Sequence, residues 1–201
     1  MRGGLAAALS LMAAAWPAFA HDHPDSAAPA SGTVEIPGLP GLGGPFALID
    51  QKGMVRTDQE FLGKLMLVTF GYTDCPDICP LQMQKLTEAL ALAGPAVAGQ
   101  IVPLFITVDP SHDTPDRLAG FLSAFDPSII GLTGSREAIG KVARAYHVHA
   151  VEAPGAGKAH EIDHSDLQYL MGRDGKFLTL ILPNASAADI AARLAKYAGQ
   201  A

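Results

Sequence analysis

Two long, uninterrupted apolar segments limit the folds available to this chain. LMLVTF occupies residues 65–70 and VPLFITV occupies residues 102–108, and neither alternates polar with apolar positions. Strands of this kind are buried on both faces, as in parallel sheets covered by helices on each side. Helical patterns follow at residues 80–92 and 115–125, each with Pro at its first position and the second with Thr114 as N-cap. The alternation predicts right-handed parallel crossovers and an α/β fold.

The second half of the chain adds an antiparallel element and a closing helix. A short strand at residues 129–132 precedes a helical pattern at residues 135–146. Residues 167–171 and 176–182 flank a Gly-Arg-Asp-Gly turn, which predicts an antiparallel hairpin, and residues 187–197 form a final helix. These elements predict a thioredoxin-like three-layer sandwich, with a central mixed sheet and helices on both faces.

The first twenty residues have the features of an export signal. Arg2 is their only charged side chain, and the apolar stretch ends in a small-x-small pattern at Ala20. We expect a signal peptide over residues 1–20 and a periplasmic protein; the alternative is an uncleaved membrane anchor facing the periplasm. Residues 21–44 are rich in Pro and Gly and predict a flexible linker, so the folded domain is expected over residues 45–200.

The charge balance excludes one large class of partner. The chain has 14 Lys and Arg against 20 Asp and Glu, a formal net charge of −6, and no run of basic residues. Nucleic-acid binding requires a face rich in Lys and Arg, so no nucleic-acid partner is expected. Without its first twenty residues the chain is still long enough to fold without disulfides or a structural metal. Its two cysteines therefore need another explanation.

Cys75 and Cys79 lie in the segment GYTDCPDICP, residues 71–80, between a buried strand and the start of a helix. Ligand sites of α/β proteins form at this edge of the sheet. A separation of four residues brings both sulfur atoms within reach of one ion or of each other, and a helix N-terminus favours thiolate.

Three uses of the cysteine pair compete: a metal site, a redox disulfide and an inert bridge. The inert bridge is the weakest, because closing so short a loop contributes little stability. Thioredoxin-type oxidoreductases have two residues between their cysteines, whereas this chain has three. The spacing therefore favours a metal site or a non-standard redox role.

A metal ion bound by two thiolates needs a further ligand, and the chain has seven histidines. His147 and His149 are two apart, which predicts one shared strand face, and His112 lies in a turn. Strand packing and loop polarity explain these three. His160 lies in a segment rich in Pro, Gly and Ala. His164 precedes the hairpin, on the loop edge that a thioredoxin-like fold brings opposite the cysteines, but a lone histidine is usually structural.

At these residues the sequence resembles the SCO/SenC family of copper proteins, which are used in assembling cytochrome c oxidase. The matching blocks include GGPFALID, GYTDCPDICP, PLFITVDPSHDTP and IDHSDLQYLMGRDGKFL, and they extend over residues 43–177 in the family's order. The resemblance implies copper ligation by Cys75, Cys79 and His164, with the two cysteines able to form a disulfide. Two thiolates and one imidazole suit Cu(I), and the imidazole also allows Cu(II).

The resemblance also implies a function. It predicts a copper metallochaperone whose partner is the copper-receiving subunit of cytochrome c oxidase or another copper chaperone. For a periplasmic chaperone we expect a monomer with a weak, transient interface. The alternative is an enzyme, a thiol–disulfide reductase that keeps the oxidase copper-site cysteines reduced with Cys75 and Cys79 as its redox-active pair. Only copper transfer requires His164. A copper-responsive sensor is a further alternative, whereas no residue pattern supports a peroxidase.

Residues beside these ligands have secondary roles to be tested. Asp163 is a candidate for orienting the His164 imidazole or approaching Cu(II), with turn capping as the simpler role. Asp74 and Asp77 would stabilise a cation or cap the helix. Cleavage after Ala20 would leave His21-Asp22-His23 at the N-terminus, where the amine and the imidazole at position three can bind Cu(II). A solubilising polar start is the favoured interpretation of these residues.

Overall fold

A mixed β-sheet with helices packed on both faces forms the centre of the molecule. The structure, a computed structural model, describes residues 41–152 and 162–200, without the side chains of residues 151, 152, 163 and 164. The predicted signal peptide, residues 21–40, His160 and the His21–His23 segment lie outside the described residues. The strands are β1 (Ala47–Asp50), β2 (Val55–Thr57), β3 (Leu65–Gly71), β4 (Ile101–Thr107), β5 (Ile130–Thr133), β6 (Ala150–Glu152), β7 (Ile162–His164), β8 (Gln168–Met171) and β9 (Phe177–Ile181). The helices are α1 (Ile78–Ala93), α2 (Pro95–Ala98), α3 (Pro115–Leu122), α4 (Arg136–Ala145) and α5 (Ala187–Ala198), with a short 3-10 helix at Asp58–Phe61.

The sheet order confirms the predicted α/β class. The described strands are arranged β2-β1-β5-β4-β3-β8-β9. β3, β4 and β5 are parallel, and β3 and β4 are in register from the Leu65–Ile101 pair to the Gly71–Thr107 pair. β1, β2, β8 and β9 pair antiparallel with their neighbours, which makes the sheet mixed. The parallel half, the antiparallel hairpin and the final helix form the predicted thioredoxin-like fold.

β3 is buried on both faces, as its continuous apolar sequence predicts. All seven of its residues are buried. Leu65 and Leu67 pack on one face against the cluster that includes α1 and α5, and Met66 and Phe70 pack on the other face with side chains of α4. The carboxyl end of this strand is consequently held rigidly from both sides of the sheet.

Two predicted helix starts are confirmed by their caps, and one is displaced. Thr114 Oγ1 accepts a hydrogen bond from the Arg117 N–H at 3.3 Å, and Ser135 Oγ accepts one from the Ala138 N–H at 3.1 Å. The first helix, however, begins at Ile78, so Pro80 is its third residue and not its first. Proline is tolerated throughout a first helical turn, because the N–H groups there have no intrahelical partner.

The segment between α4 and β8 differs most from prediction. His147 and His149 do not share a strand face, because β6 begins only at Ala150. His147 instead closes α4 in the left-handed region, with φ of 55°, and the Val148 N–H donates to the Ala143 carbonyl at 2.8 Å. His164 lies in a strand and not in a loop, since β7 pairs antiparallel with β6 in a separate two-stranded ribbon.

The described chain begins close to the core. The Leu42 side chain is buried, and the Gly43 N–H donates to the Ala145 carbonyl at 2.8 Å. The last residues of the predicted 21–44 linker therefore contact the end of α4. Within residues 41–152 and 162–200, no helix combines the length and apolarity needed to span a membrane.

Candidate metal centre

The two cysteines lie at the carboxyl end of β3, where the chain turns into α1. Cys75 belongs to the connecting loop and Cys79 to the first turn of α1. Both carry free thiols, and the exposed fractions of the two residues are 8% and 0%. The Cys79 N–H donates to Cys75 Sγ at 3.4 Å, so the helix start directs a backbone donor at the neighbouring sulfur. The structure thus brings two soft donors together in an apolar environment, as the spacing predicts.

Burial determines the protonation state of Cys79. Removal from water raises the pKa of this thiol well above its ordinary value, and the nearby Cys75 and Asp166 side chains raise it further. A hydrogen bond from the Tyr72 backbone lowers the pKa, but by less. For Cys79, burial therefore outweighs the expected effect of the helix start, and the metal-free protein favours the thiol. A metal ion that binds here has to displace a proton.

Gly71 leaves the space that Cys79 occupies. A Cβ atom added at Gly71 would lie 2.8 Å from Cys79 Sγ and 2.7 Å from Phe105 Cε2. Cys79 and Phe105 are both completely buried, so neither can move into solvent. The glycine before the cysteine loop is therefore required by close packing against the sulfur atom.

The ribbon that carries His164 is attached to the cysteine region on both sides of that residue. Two positions before it, the Ile162 N–H donates to the Tyr72 hydroxyl at 3.3 Å. Two positions after it, the Asp166 carbonyl accepts a hydrogen bond from Gln82 Nε2 in α1 at 2.8 Å. Ile162 also packs in one buried cluster with Tyr72 and both cysteines. The side chains of Asp163 and His164 lie outside the described part of the structure.

Of the other residues singled out from the sequence, Asp74 and His112 have side-chain partners elsewhere. Asp74 forms an ion pair with Arg117 of α3. Asp77 is the N-cap residue of α1 by position, but it makes no capping hydrogen bond through its side chain. His112 Nδ1 lies 2.9 Å from a carboxylate oxygen of Asp109, in the turn after β4. Within the described residues, no three His, Cys, Asp or Glu side chains form a metal-binding group.

Asp113 holds the start of the cysteine loop in place. This buried carboxylate accepts hydrogen bonds from the Thr73 N–H at 3.1 Å and from the Thr73 hydroxyl at 2.5 Å. It also accepts one from the Thr107 hydroxyl, at the end of β4, at 2.5 Å. The loop is thus fixed to the neighbouring parallel strand.

Sequence reasoning missed Asp113, Tyr72, Gln82 and Gly71. Tyr72 and Gly71 lie inside the GYTDCPDICP segment, and Asp113 lies inside PLFITVDPSHDTP. Candidate residues were chosen for their capacity to bind a metal. These four residues either lack that capacity or use their polar groups for other contacts. For Gly71, Tyr72 and Asp113, the available indication was their position in the blocks that resemble the family. Gln82 lies outside those blocks.

Comparison with known proteins identifies the family of this chain. A family model described as SCO1/SenC matches residues 35–199. The chain belongs to the SCO1/SenC family. The predicted family resemblance is therefore confirmed. The human mitochondrial SCO1 homologue is 38% identical over 162 residues, which are 80% of this chain and 54% of the human protein. The SCO1/SenC chain thus spans about half the length of that relative.

Two solved SCO structures are similar to this family member. ScoI of Bradyrhizobium japonicum, solved with copper bound, is 40% identical, with a TM-score of 0.72, and the match covers 78% of this chain and 99% of that one. Yeast Sco1, also solved with copper bound, is 34% identical, with a TM-score of 0.73 and coverage of 81% and 91%. These similarities support the fold throughout the described domain.

Proposed function

We propose that this SCO1/SenC chain is a copper metallochaperone, in which Cys75, Cys79 and His164 bind copper as cargo. The observation that carries the proposal is the attachment of β7 to the cysteine loop, through the hydrogen bond between the Ile162 N–H and the Tyr72 hydroxyl. Two sulfur atoms and one imidazole suit Cu(I), and the nitrogen also allows Cu(II). Copper-bound structures of two similar SCO proteins support this choice of metal.

The recipient is the copper centre of cytochrome c oxidase during its assembly, either directly or through another copper chaperone. The chain acts as a monomer in the periplasm, exported by residues 1–20 or anchored by them. Low-coordinate copper can move to a recipient by exchange of one ligand at a time. The partial exposure of Cys75, 8% against 0% for Cys79, makes Cys75 the sulfur that an incoming ligand reaches first.

The test is Cu(I) binding to the reduced protein in competition with a chromophoric chelator. Wild type should bind one Cu(I) per chain, and His164→Ala should weaken that binding by at least about tenfold, because a ligand is lost. His149→Ala is the matched control, since this exposed histidine lies in the same region. An equal decrease in Cu(I) affinity in both variants, or no decrease in His164→Ala, would contradict the three-ligand site.

One contact favours a second function, thiol–disulfide reduction of the oxidase copper-site cysteines. The two thiols are hydrogen-bonded to each other, so a disulfide can form between them after small movements. In that reaction one thiolate attacks a partner disulfide and forms a mixed disulfide with it. The second thiolate then attacks the sulfur of the first cysteine and displaces the partner thiol. Cys75 and Cys79 thereby become oxidised to a disulfide, while the partner gains two electrons and two protons as two thiols. Reduction of a disulfide substrate that persists in His164→Ala, together with weak copper binding by wild type, would favour this function.

A further inference from the structure

We infer that the Tyr72 hydroxyl is a positioning group, which sets where β7, and with it His164, lies relative to the Cys75 sulfur. The inference rests on the proposed copper site and deepens it. Tyr72 is not a metal ligand in this arrangement. It acts on the site through two contacts: one with Cys75, a proposed ligand, and one with β7, the strand that carries His164.

Two hydrogen bonds meet at this hydroxyl. Its oxygen accepts from the Ile162 N–H at 3.3 Å, and the hydroxyl is also hydrogen-bonded to the Cys75 side chain. A phenolic hydroxyl has one hydrogen to donate. When Cys75 is a metal-bound thiolate it can only accept, so the hydroxyl donates to the sulfur while it still accepts from Ile162. Both contacts are therefore compatible with the loaded site.

The surroundings make these contacts strong and specific. Tyr72 is 2% exposed, and Ile162 and Cys75 each 8%, so little water competes for the hydroxyl. Loss of the hydroxyl would leave a buried backbone N–H without this acceptor, which is unfavourable.

The anchor is close to the ligand position along the strand. Ile162 and His164 are the first and last residues of β7, and two strand residues span about 7 Å. At the start of the strand, the hydrogen bond from the Ile162 N–H to the Tyr72 hydroxyl fixes its position. A second anchor, the hydrogen bond from Gln82 Nε2 to the Asp166 carbonyl, fixes the chain just after β7. Removing the first anchor leaves β7 held by its pairing with β6 and by the Gln82 contact, neither of which joins it to the cysteine loop.

The two oxidation states should respond differently. Cu(I) tolerates low coordination numbers and varied angles, whereas Cu(II) prefers a tetragonal arrangement of its ligands. A displaced β7 should therefore perturb the Cu(II) form more than the Cu(I) form. A thiolate that loses a hydrogen-bond donor should also show a changed sulfur-to-Cu(II) charge-transfer band.

The test compares Tyr72→Phe with Tyr169→Phe, because each variant removes one hydroxyl from a buried ring. Tyr169 packs in the cluster on the other face of the sheet and so serves as the control. We expect Tyr72→Phe to shift the charge-transfer band and to release Cu(II) to a chelator about tenfold faster, equal to about 1.4 kcal/mol. Cu(I) affinity should change less. An unchanged band and release rate, or equal changes in Tyr169→Phe, would overturn the inference.

A metal-free measurement separates this inference from the proposed function. Amide hydrogen exchange of Ile162 should be at least about tenfold faster in Tyr72→Phe than in wild type, with no change in Tyr169→Phe. Unchanged exchange would refute the positioning role whatever the copper data show. If exchange is faster in Tyr72→Phe but His164→Ala binds copper as tightly as wild type, the positioning of β7 is supported and the three-ligand copper site is rejected.

Discussion

Replacing Gly71 with alanine should disturb both the stability of the protein and its cysteine pair. The added Cβ would lie 2.8 Å from Cys79 Sγ, and 2.7 Å and 3.0 Å from two ring carbons of Phe105. Real Cβ atoms do not approach heavy atoms so closely, so a buried group has to move. Both neighbours are completely buried, and the sulfur belongs to a proposed copper ligand. The perturbation therefore acts on packing and on metal binding together.

The expected cost follows from two opposing effects. Overpacking a buried site costs about 1–3 kcal/mol. Alanine also restricts the unfolded chain, which offsets about 0.4–1 kcal/mol. The φ angle of Gly71 is not positive, so no backbone strain is added. We expect Gly71→Ala to lower the free energy of unfolding by about 1–2 kcal/mol and to weaken Cu(I) binding by about tenfold, if the sulfur is the atom that moves.

The assays are urea unfolding, followed by circular dichroism, and Cu(I) competition on the same samples. Gly120→Ala is the control, because a Cβ there would meet no heavy atom within 4 Å and the residue lies inside α3. The control should be unchanged or stabilised by up to about 1 kcal/mol, with normal Cu(I) affinity. A Gly71→Ala protein with the stability and affinity of wild type would refute the packing argument.

Three further predictions concern titratable groups. Burial by itself raises the pKa of Asp50, but hydrogen bonds from two backbone N–H groups and an arginine outweigh it, so the pKa lies below its ordinary value. Asp50→Asn should therefore lower the free energy of unfolding by about 1–2 kcal/mol near neutral pH, and in urea unfolding the difference from wild type should shrink below about pH 4 as the native carboxylate is protonated. Asp113→Asn should cost about 2–3 kcal/mol in the same assay and weaken Cu(I) binding through Thr73, whereas the exposed control Asp116→Asn should change neither. Because burial keeps the Cys79 thiol protonated, Cu(I) affinity measured by competition should rise at least about tenfold per pH unit between about pH 6 and pH 8, and a pH-independent affinity would contradict this assignment.

Local sequence patterns predicted the secondary structure correctly wherever a single short-range interaction determines it. The apolar run at residues 65–70 predicted a strand buried on both faces, and β3 is such a strand. Thr114 predicted a helix start as its N-cap, because a side-chain oxygen satisfies a first-turn N–H group without help from the rest of the chain. The Asp-Gly turn predicted the β8–β9 hairpin, where Gly175 has φ of +76°.

The ribbon of β6 and β7 could not be predicted in this way. Its strands are three residues each, which is too short for a periodic pattern to develop, and nine residues separate them in the chain. The two-residue spacing of His147 and His149 resembled a strand, but in the structure His147 ends α4 in the left-handed region, with φ of 55°. The pairing of Ala150 with His164 depends on contacts that only the folded chain makes.

By itself, the sequence determined the α/β class, the position of the cysteine pair between a strand and a helix, and the family to which the chain belongs. These depend on local spacing and residue type, which a linear pattern records. The tertiary structure alone decided that Cys79 is a buried thiol, that Gly71 is needed beside it, and that Tyr72 joins the cysteine loop to β7. Desolvation, close packing and a hydrogen bond across 90 residues are properties of groups distant in sequence, and they arise only when folding brings those groups together.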